Sequence, residues 1–222
     1  MSECVRRLPY VDFAYFADNK NVPYGVLTKS EILKLTRNKF EEISALKPAA
    51  AVIACNTVTS RCAAELRKEF AFPIVGIQPA VKPAAAAGKC TVLATPATAE
   101  SEAVKDLVKK YGRNRTEIIA CPQLASYIEN NIFNFSRHDI YELLPYINSD
   151  GVVLGCTHYS FVGNYIKDFY GCTVYDGIEG TARRLCDILA ASNRCSQVAG
   201  KIAFIGGDEY KNKCVFESLI KS

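Results

Sequence analysis

The sequence predicts an α/β protein of two related halves, in which mostly parallel sheets are covered by helices, and three observations carry that prediction. Short apolar runs alternate with longer segments of helical period, the pattern of strands joined by helical crossovers. A weak internal echo sets Ala51-Val-Ile-Ala-Cys-Asn-Thr57 beside Gly151-Val-Val-Leu-Gly-Cys-Thr157. Its two cysteines, Cys55 and Cys156, stand 101 positions apart, about the size of a small α/β domain. Finally, 222 residues at 49% hydrophobic composition are enough to bury about 70% of the unfolded surface.

Taken in order, eight runs read as strands: Val11 to Ala17, Ala49 to Ala54, Ile74 to Ile77, Thr91 to Ala94, Glu117 to Ala120, Gly151 to Leu154, Thr173 to Tyr175 and Ile202 to Ile205. Between them, Thr28 with Glu31 and Ser136 with Asp139 each supply an N-cap and a charged first turn, so helices are expected to begin there. The alanine-rich Val81 to Gly88, bracketed by Pro79, Pro83 and Gly88, reads as a helix after a crossover. No low-complexity linker divides the chain.

Composition excludes several classes. The 27 basic and 23 acidic residues leave a formal charge of only +4, and the cluster Lys109, Lys110, Arg113 and Arg115 is interrupted by polar residues, as at a solvated helix end. No nucleic-acid partner is expected. No run approaches the roughly 18 apolar residues that span a bilayer, and Met1 to Pro9 has no signal-peptide core, so a cytoplasmic protein with no membrane partner is expected. Ten cysteines without a secretory signal read as reduced thiols. No C-x-x-C pair occurs, and Cys62, Cys90, Cys172 and Cys186 read as small buried hydrophobes.

The echo places each of Cys55 and Cys156 at the carboxyl end of a strand, just before a helix, where open parallel sheets bind ligands. A helix start offers unpaired N–H groups and a positive dipole end, which favour a thiolate and also a substrate carboxylate. Asn56, Thr57 and Thr157 add short hydrogen-bonding side chains at the same places. Alone, Cys55 reads equally well as a buried core thiol. Two such cysteines suggest acid and base on opposite faces of one carbon, as racemisation requires: one thiolate removes the α-proton while the opposite thiol delivers another. The weak acidity of that proton also demands preorganised donors for carbanionic charge. His158, two residues after Cys156, could support proton delivery there, although a lone turn histidine is the blander reading; His138 receives no role. A zinc site at Cys156 and His158 lacks further ligands at suitable spacing. A Cys–His nucleophile for hydrolysis would leave the second cysteine unexplained.

Val52-Ile-Ala-Cys-Asn-Thr-Val-Thr-Ser60 and Leu154-Gly-Cys-Thr-His-Tyr159 are similar to the paired cysteine motifs of glutamate racemases. Phe13-Ala-Tyr-Phe-Ala-Asp-Asn-Lys-Asn-Val-Pro-Tyr-Gly25, Val75-Gly-Ile-Gln-Pro-Ala80, Ala94-Thr-Pro-Ala-Thr98 and Cys121-Pro-Gln-Leu with Glu129 follow in the family's order, so the resemblance spans nearly the whole chain. It implies two α/β domains related by pseudo-twofold symmetry, residues 1–78 with 188–222 and residues 79–187, with the active site in the cleft between them. It further implies L- to D-glutamate racemisation for peptidoglycan, without pyridoxal phosphate, metal or other cofactor. Cys55 and Cys156 would be the catalytic bases, assisted on the Cys156 side by His158 and Glu129. Pro23, Tyr24, Gly25, Asn56, Thr57, Thr98 and Thr157 would hold the amino acid. Without the resemblance, Pro23 to Gly25 read as a turn, Thr98 as an N-cap and Glu129 as an exposed helix residue.

The family also begins with a strand ending in Asp-Ser-Gly-x-Gly-Gly, whose aspartate assists the first cysteine and whose serine contacts substrate. Met1 to Tyr10 resembles only the end of the helix that follows it. A first sheet lacking its first strand, with weakened or lost activity, is therefore the expectation. A non-catalytic relative that binds glutamate or a protein partner is the alternative. The family commonly forms dimers, and a homodimer is among the assemblies the resemblance allows.

Overall fold

The computed structural model describes residues 1–191 and 198–221; residues 192–197, within the segment expected to complete the first domain, lie outside the described residues, as does Ser222. The described elements run α1 (Ser2–Arg7), β1 (Phe13–Phe16), α2 (Lys29–Ala45), β2 (Ala51–Ile53), α3 (Asn56–Glu69), β3 (Ile74–Gly76), α4 (Val81–Ala87) and β4 (Cys90–Ala94). They continue through α5 (Pro96–Ala99), α6 (Glu102–Leu107), β5 (Thr116–Ala120), α7 (Leu124–Asn130), α8 (Arg137–Glu142) and β6 (Gly151–Gly155). The chain ends with α9 (Gly163–Tyr170), β7 (Thr173–Tyr175), α10 (Ile178–Ala190), β8 (Ile202–Ile205) and α11 (Glu209–Lys221). Each predicted strand is present: β1, β2 and β3 are shorter than expected, β4, β5 and β6 each extend one residue further, and β7 and β8 match the expected bounds.

Every ladder is parallel. One sheet of four strands has the order β5-β4-β6-β7, while β1 pairs with β8 and β2 pairs with β3 in two separate two-stranded sheets. The first sheet, expected to lack its first strand, is two ladders with no ladder hydrogen bonds joining them among the described residues. What joins them is apolar packing: Phe13 of β1, Val52 of β2 and Val75 of β3 meet Cys4 of α1 and Ala182, Leu185 and Ile188 of α10 in one cluster.

The four-stranded sheet is buried on both faces, which is why β4 and β6 are continuous apolar runs rather than alternating ones. One face packs Leu93, Val152 and Leu154 (β4 and β6) with Leu124, Ile128, Ile140, Tyr159, Val162 and Ile166; the other carries Val81, Ala84, Val92 and Val153. At roughly 1.5–3 kcal/mol for each large apolar side chain fully buried, these clusters fix the sheet against its helices. Around β2, Ile32, Thr36 and Phe40 recur every fourth residue on α2 and face Val58, Cys62 and Leu66, with the same spacing on α3. Phe40 also stacks on Phe72 at 6.0 Å.

The expected helix starts are realised. Thr28 and Glu31 form a complete capping box on α2, and Ser136 accepts from the Asp139 backbone N–H at the start of α8. The alanine-rich segment is α4, ending at Gly88. Nine cysteines are free thiols among the described residues, and Cys195 lies outside them. Cys62 and Cys90 are fully buried, whereas Cys172 and Cys186 are only half-buried because β7 and α10 lie nearer the surface.

Candidate active site

The carboxyl ends of β2 and β6 each deliver a cysteine to the first position of a helical turn. Cys55 has extended backbone (φ −144°, ψ 120°) and caps α3; Cys156 has nearly the same backbone (φ −144°, ψ 136°) and caps the 3-10 turn Thr157–Val162. A residue in this conformation turns its side chain toward the free N–H groups of the turn that follows. The N–H groups of Thr57 and Val58 lie on the Cys55 side and favour its thiolate, although neither closes a cap hydrogen bond.

The two thiols sense each other. Burial is the main influence raising Cys55, to about 11; the donors of Val58 and Thr57 oppose it, and the charge of Cys156 adds to it. Cys55 is therefore a thiol at neutral pH in this state. Cys121, after β5, packs behind Cys156 in the same cluster and is pushed up to about 12 by burial and then by Cys156.

Behind Cys156 runs a chain of ionisable groups. His158 Nδ1 lies 3.8 Å from Cys156 Sγ, and His158 Nε2 lies 2.9 Å from Glu129 Oε2. Lys211 Nζ donates to Glu129 Oε1 at 2.8 Å and sits 3.4 Å from the Glu129 carbonyl oxygen. Burial works against an imidazolium at His158, but Cys156 and Glu129 outweigh it and raise His158 to about 9. The bond from His158, opposed by burial and reinforced by Lys211, holds Glu129 below the usual carboxylate range. Glu129 is thus half-buried and doubly paired rather than an exposed helix residue.

On the Cys55 side, Tyr24 donates to Asp18 Oδ2 at 2.5 Å, and Asn21 donates to the same carboxylate at 2.8 Å. Burial first, then Asp18 and the Cys55 charge, keep the Tyr24 phenol protonated. Pro23 follows a cis peptide and precedes the 3-10 turn Tyr24–Val26. Gly25 lies against Thr95: a Cβ there would come 2.6 Å from Thr95 Cγ2. Thr95, not Thr98, caps α5, because the helix starts at Pro96; the N-cap reading of Thr98 is corrected accordingly. Thr98 instead closes a triangle of buried hydroxyls, with Thr57–Thr95 at 3.0 Å, Thr57–Thr98 at 2.9 Å and Thr95–Thr98 at 3.0 Å. Beside it the Asn56 amide nitrogen is buried without a partner, a condition native proteins rarely leave unfilled. Thr157 is half-buried at the Cys156 turn, and His138 is exposed on α8.

The structure therefore gathers the predicted residues into two groups, one around Cys55 and one around Cys156. It adds Asp18, Thr95, Cys121 and Lys211. Asp18 and Thr95 lie inside segments quoted for the resemblance. Lys211 had no signal, since it lies 82 positions from Glu129. Among the described residues, no three His, Cys, Asp or Glu side chains gather as metal ligands, and no helix is long and apolar enough to cross a membrane. A hollow lined by Ser160, Asn164, Lys167, Thr173 and Asp176 includes none of the predicted site residues.

Comparison with known proteins gives the family and the fold. Residues 25–185 match the family described as Asp/Glu/hydantoin racemase. The chain is 37% identical over 219 residues to glutamate racemase 2 of Bacillus subtilis (strain 168), covering 91% of this chain and 81% of that protein. To a glutamate racemase of Clostridium perfringens (strain SM101) it is 38% identical over 216 residues, covering 90% and 82%. A Bacillus anthracis glutamate racemase structure superposes with TM-score 0.80 at 26% identity, over 99% of this chain and 86% of that one. The Escherichia coli glutamate racemase, solved with L-glutamate and the activator UDP-MurNAc-ala, shares the fold with TM-score 0.82 at 23% identity, over 99% and 88%.

Proposed function

The chain belongs to the Asp/Glu/hydantoin racemase family, and on that premise we propose that it interconverts L- and D-glutamate with Cys55 and Cys156 as paired acid and base, supplying D-glutamate for peptidoglycan. The observation that carries the proposal is the pair of matched cysteines, each capping a turn at a strand's carboxyl end and close enough to feel the other's charge. The division into residues 1–78 with 188–222 and residues 79–187, with substrate between, belongs to the same proposal.

The proton inventory sets the first turnover. Cys55 holds its proton, so Cys156 removes the α-proton while Cys55 delivers its own to the opposite face; the bond broken on one side is replaced by one formed on the other. His158, 3.8 Å from the Cys156 sulfur and backed by Glu129, is the group proposed to assist proton transfer on that face. In the reverse direction the roles exchange, and a substrate ammonium in the cleft favours a thiolate at Cys55. The unpaired Asn56 amide and the Thr57–Thr98 hydroxyls are the groups proposed to take the substrate carboxylate, with Tyr24, Gly25, Pro23 and Thr157 shaping the remainder. Developing charge at the α-carbon is met by the open N–H groups of the two turns.

The test is replacement of each cysteine in turn. Cys55→Ala and Cys156→Ala are each expected to abolish racemisation of both enantiomers, and serine at either position to leave α-proton exchange from one enantiomer only. An undiminished rate in Cys156→Ala removes the two-base mechanism. Saturable glutamate binding by the native chain without exchange supports a binding protein instead.

A further inference from the structure

The ion pair between Lys211 and Glu129 joins parts of the chain that neither sheet requires to meet. Glu129 sits on α7, which packs on the four-stranded sheet, while Lys211 occupies the first turn of α11, which packs on β8. Both side chains are mostly shielded, at 26% and 20% exposure. Lys211 spans both the carboxylate and the carbonyl oxygen of the same residue, a geometry more defined than that of a surface pair.

The start of α11 is itself fixed. Asp208 accepts from the Lys211 backbone N–H at 2.9 Å, and Asn19 Oδ1 accepts from the Asp208 N–H and the Asn212 amide at 3.0 Å each. Asn19 follows Asp18, which holds Tyr24 beside Cys55. A polar path thus runs from the Cys55 side through Tyr24, Asp18, Asn19, Asp208 and Lys211 to Glu129, His158 and Cys156.

Resting on the two-base reading above, we propose that Lys211 is a positioning residue for the Cys156 side: it holds one oxygen of Glu129 so that the other faces His158, and it ties that group to the loop beside Cys55. Charge alternates along the chain, with Lys211 positive, Glu129 negative and His158 positive. Without Lys211 the carboxylate is free to turn from His158, so the pair that supports the imidazolium is weakened. The other titratable groups packed around these three are Tyr15 of β1, Cys121 after β5, Cys156 and Tyr159 of the 3-10 turn, and Asp208 at the start of α11. Burial, then the Glu129 charge, raises Tyr15 above its ordinary value.

The experiment follows the two histidines of the chain by NMR from pH 6 to 10.5 in the native protein, Lys211→Met and Lys211→Arg, with exposed His138 as internal control. In Lys211→Met the His158 midpoint is expected to fall by about half a pH unit or more, while His138 stays fixed and Lys211→Arg keeps the native value. In parallel, kcat for racemisation falls about tenfold with little change in KM, and arginine restores most of it. A His158 midpoint that is unchanged or higher in Lys211→Met overturns the proposal and leaves Lys211 a mere neighbouring charge, as does an equal shift at His138. The NMR titration decides the role of Lys211 even if the native chain does not racemise glutamate, an outcome that removes the functional proposal separately.

Discussion

Replacing Glu129 with Gln removes the carboxylate behind His158 while keeping its shape, and the structure sets both the size and the pH window of the effect. His158 is raised from its ordinary 6.5 to about 9, which corresponds to about 3 kcal/mol in favour of the folded imidazolium at roughly 1.4 kcal/mol per pH unit. Because the folded value lies above the unfolded one, this stabilisation is complete below pH 6.5 and is lost as the pH climbs through 9. Burial opposes it; Cys156 and then Glu129 provide it. With Glu129 as the second contributor, its share is about 1 kcal/mol, one pH unit. The two side chains are each only 20% exposed, so little of that is lost to solvent screening. Glu129 itself, held below 4.5, adds a contribution that disappears only on acidification through its own range and is constant here. Urea unfolding of Glu129→Gln against the native chain should therefore show about 1 kcal/mol more destabilisation at pH 6 than at pH 10. Equal destabilisation at the two pH values would refute the assignment of Glu129 as a source of the raised histidine.

Two further substitutions probe the Cys55 side. Gly25→Ala drives a Cβ into Thr95, so a shift of the Tyr24 turn is expected, with a loss of about 1–3 kcal/mol in thermal unfolding and a raised KM for glutamate. Thr57→Val removes the shared corner of the hydroxyl triangle but leaves Thr95 and Thr98 bonded to each other; about 1 kcal/mol of stability is expected to go, with a larger effect on substrate binding, read by titration with glutamate.

Much of the fold was legible because the strands announce themselves. β4 and β6 are uninterrupted apolar runs with small residues at their ends, and Thr28–Glu31 and Ser136–Asp139 are caps whose geometry follows from their spacing. Which strand pairs with which was not legible, since residue patterns show that a strand is half-buried without showing which neighbour bonds to it. In the site, the cysteines, Asn56 and Thr57 were readable from the strand–cysteine–turn echo, and Glu129 only through family resemblance. Thr98 was misread as a cap because Pro96, which fixes the first helical position, makes Thr95 the cap instead. Lys211 was invisible because its partner, 82 positions away on α7, is brought to it only by the tertiary fold, which leaves no local signature.

The central claim is tested most directly by incubating the native chain with L-glutamate in deuterated buffer, without added cofactor, following optical rotation and α-proton exchange together. The two-cysteine mechanism predicts that rotation decays as D-glutamate appears carrying solvent deuterium at the α-carbon. Folded protein that leaves both the rotation and the α-proton of bound L-glutamate unchanged would contradict it.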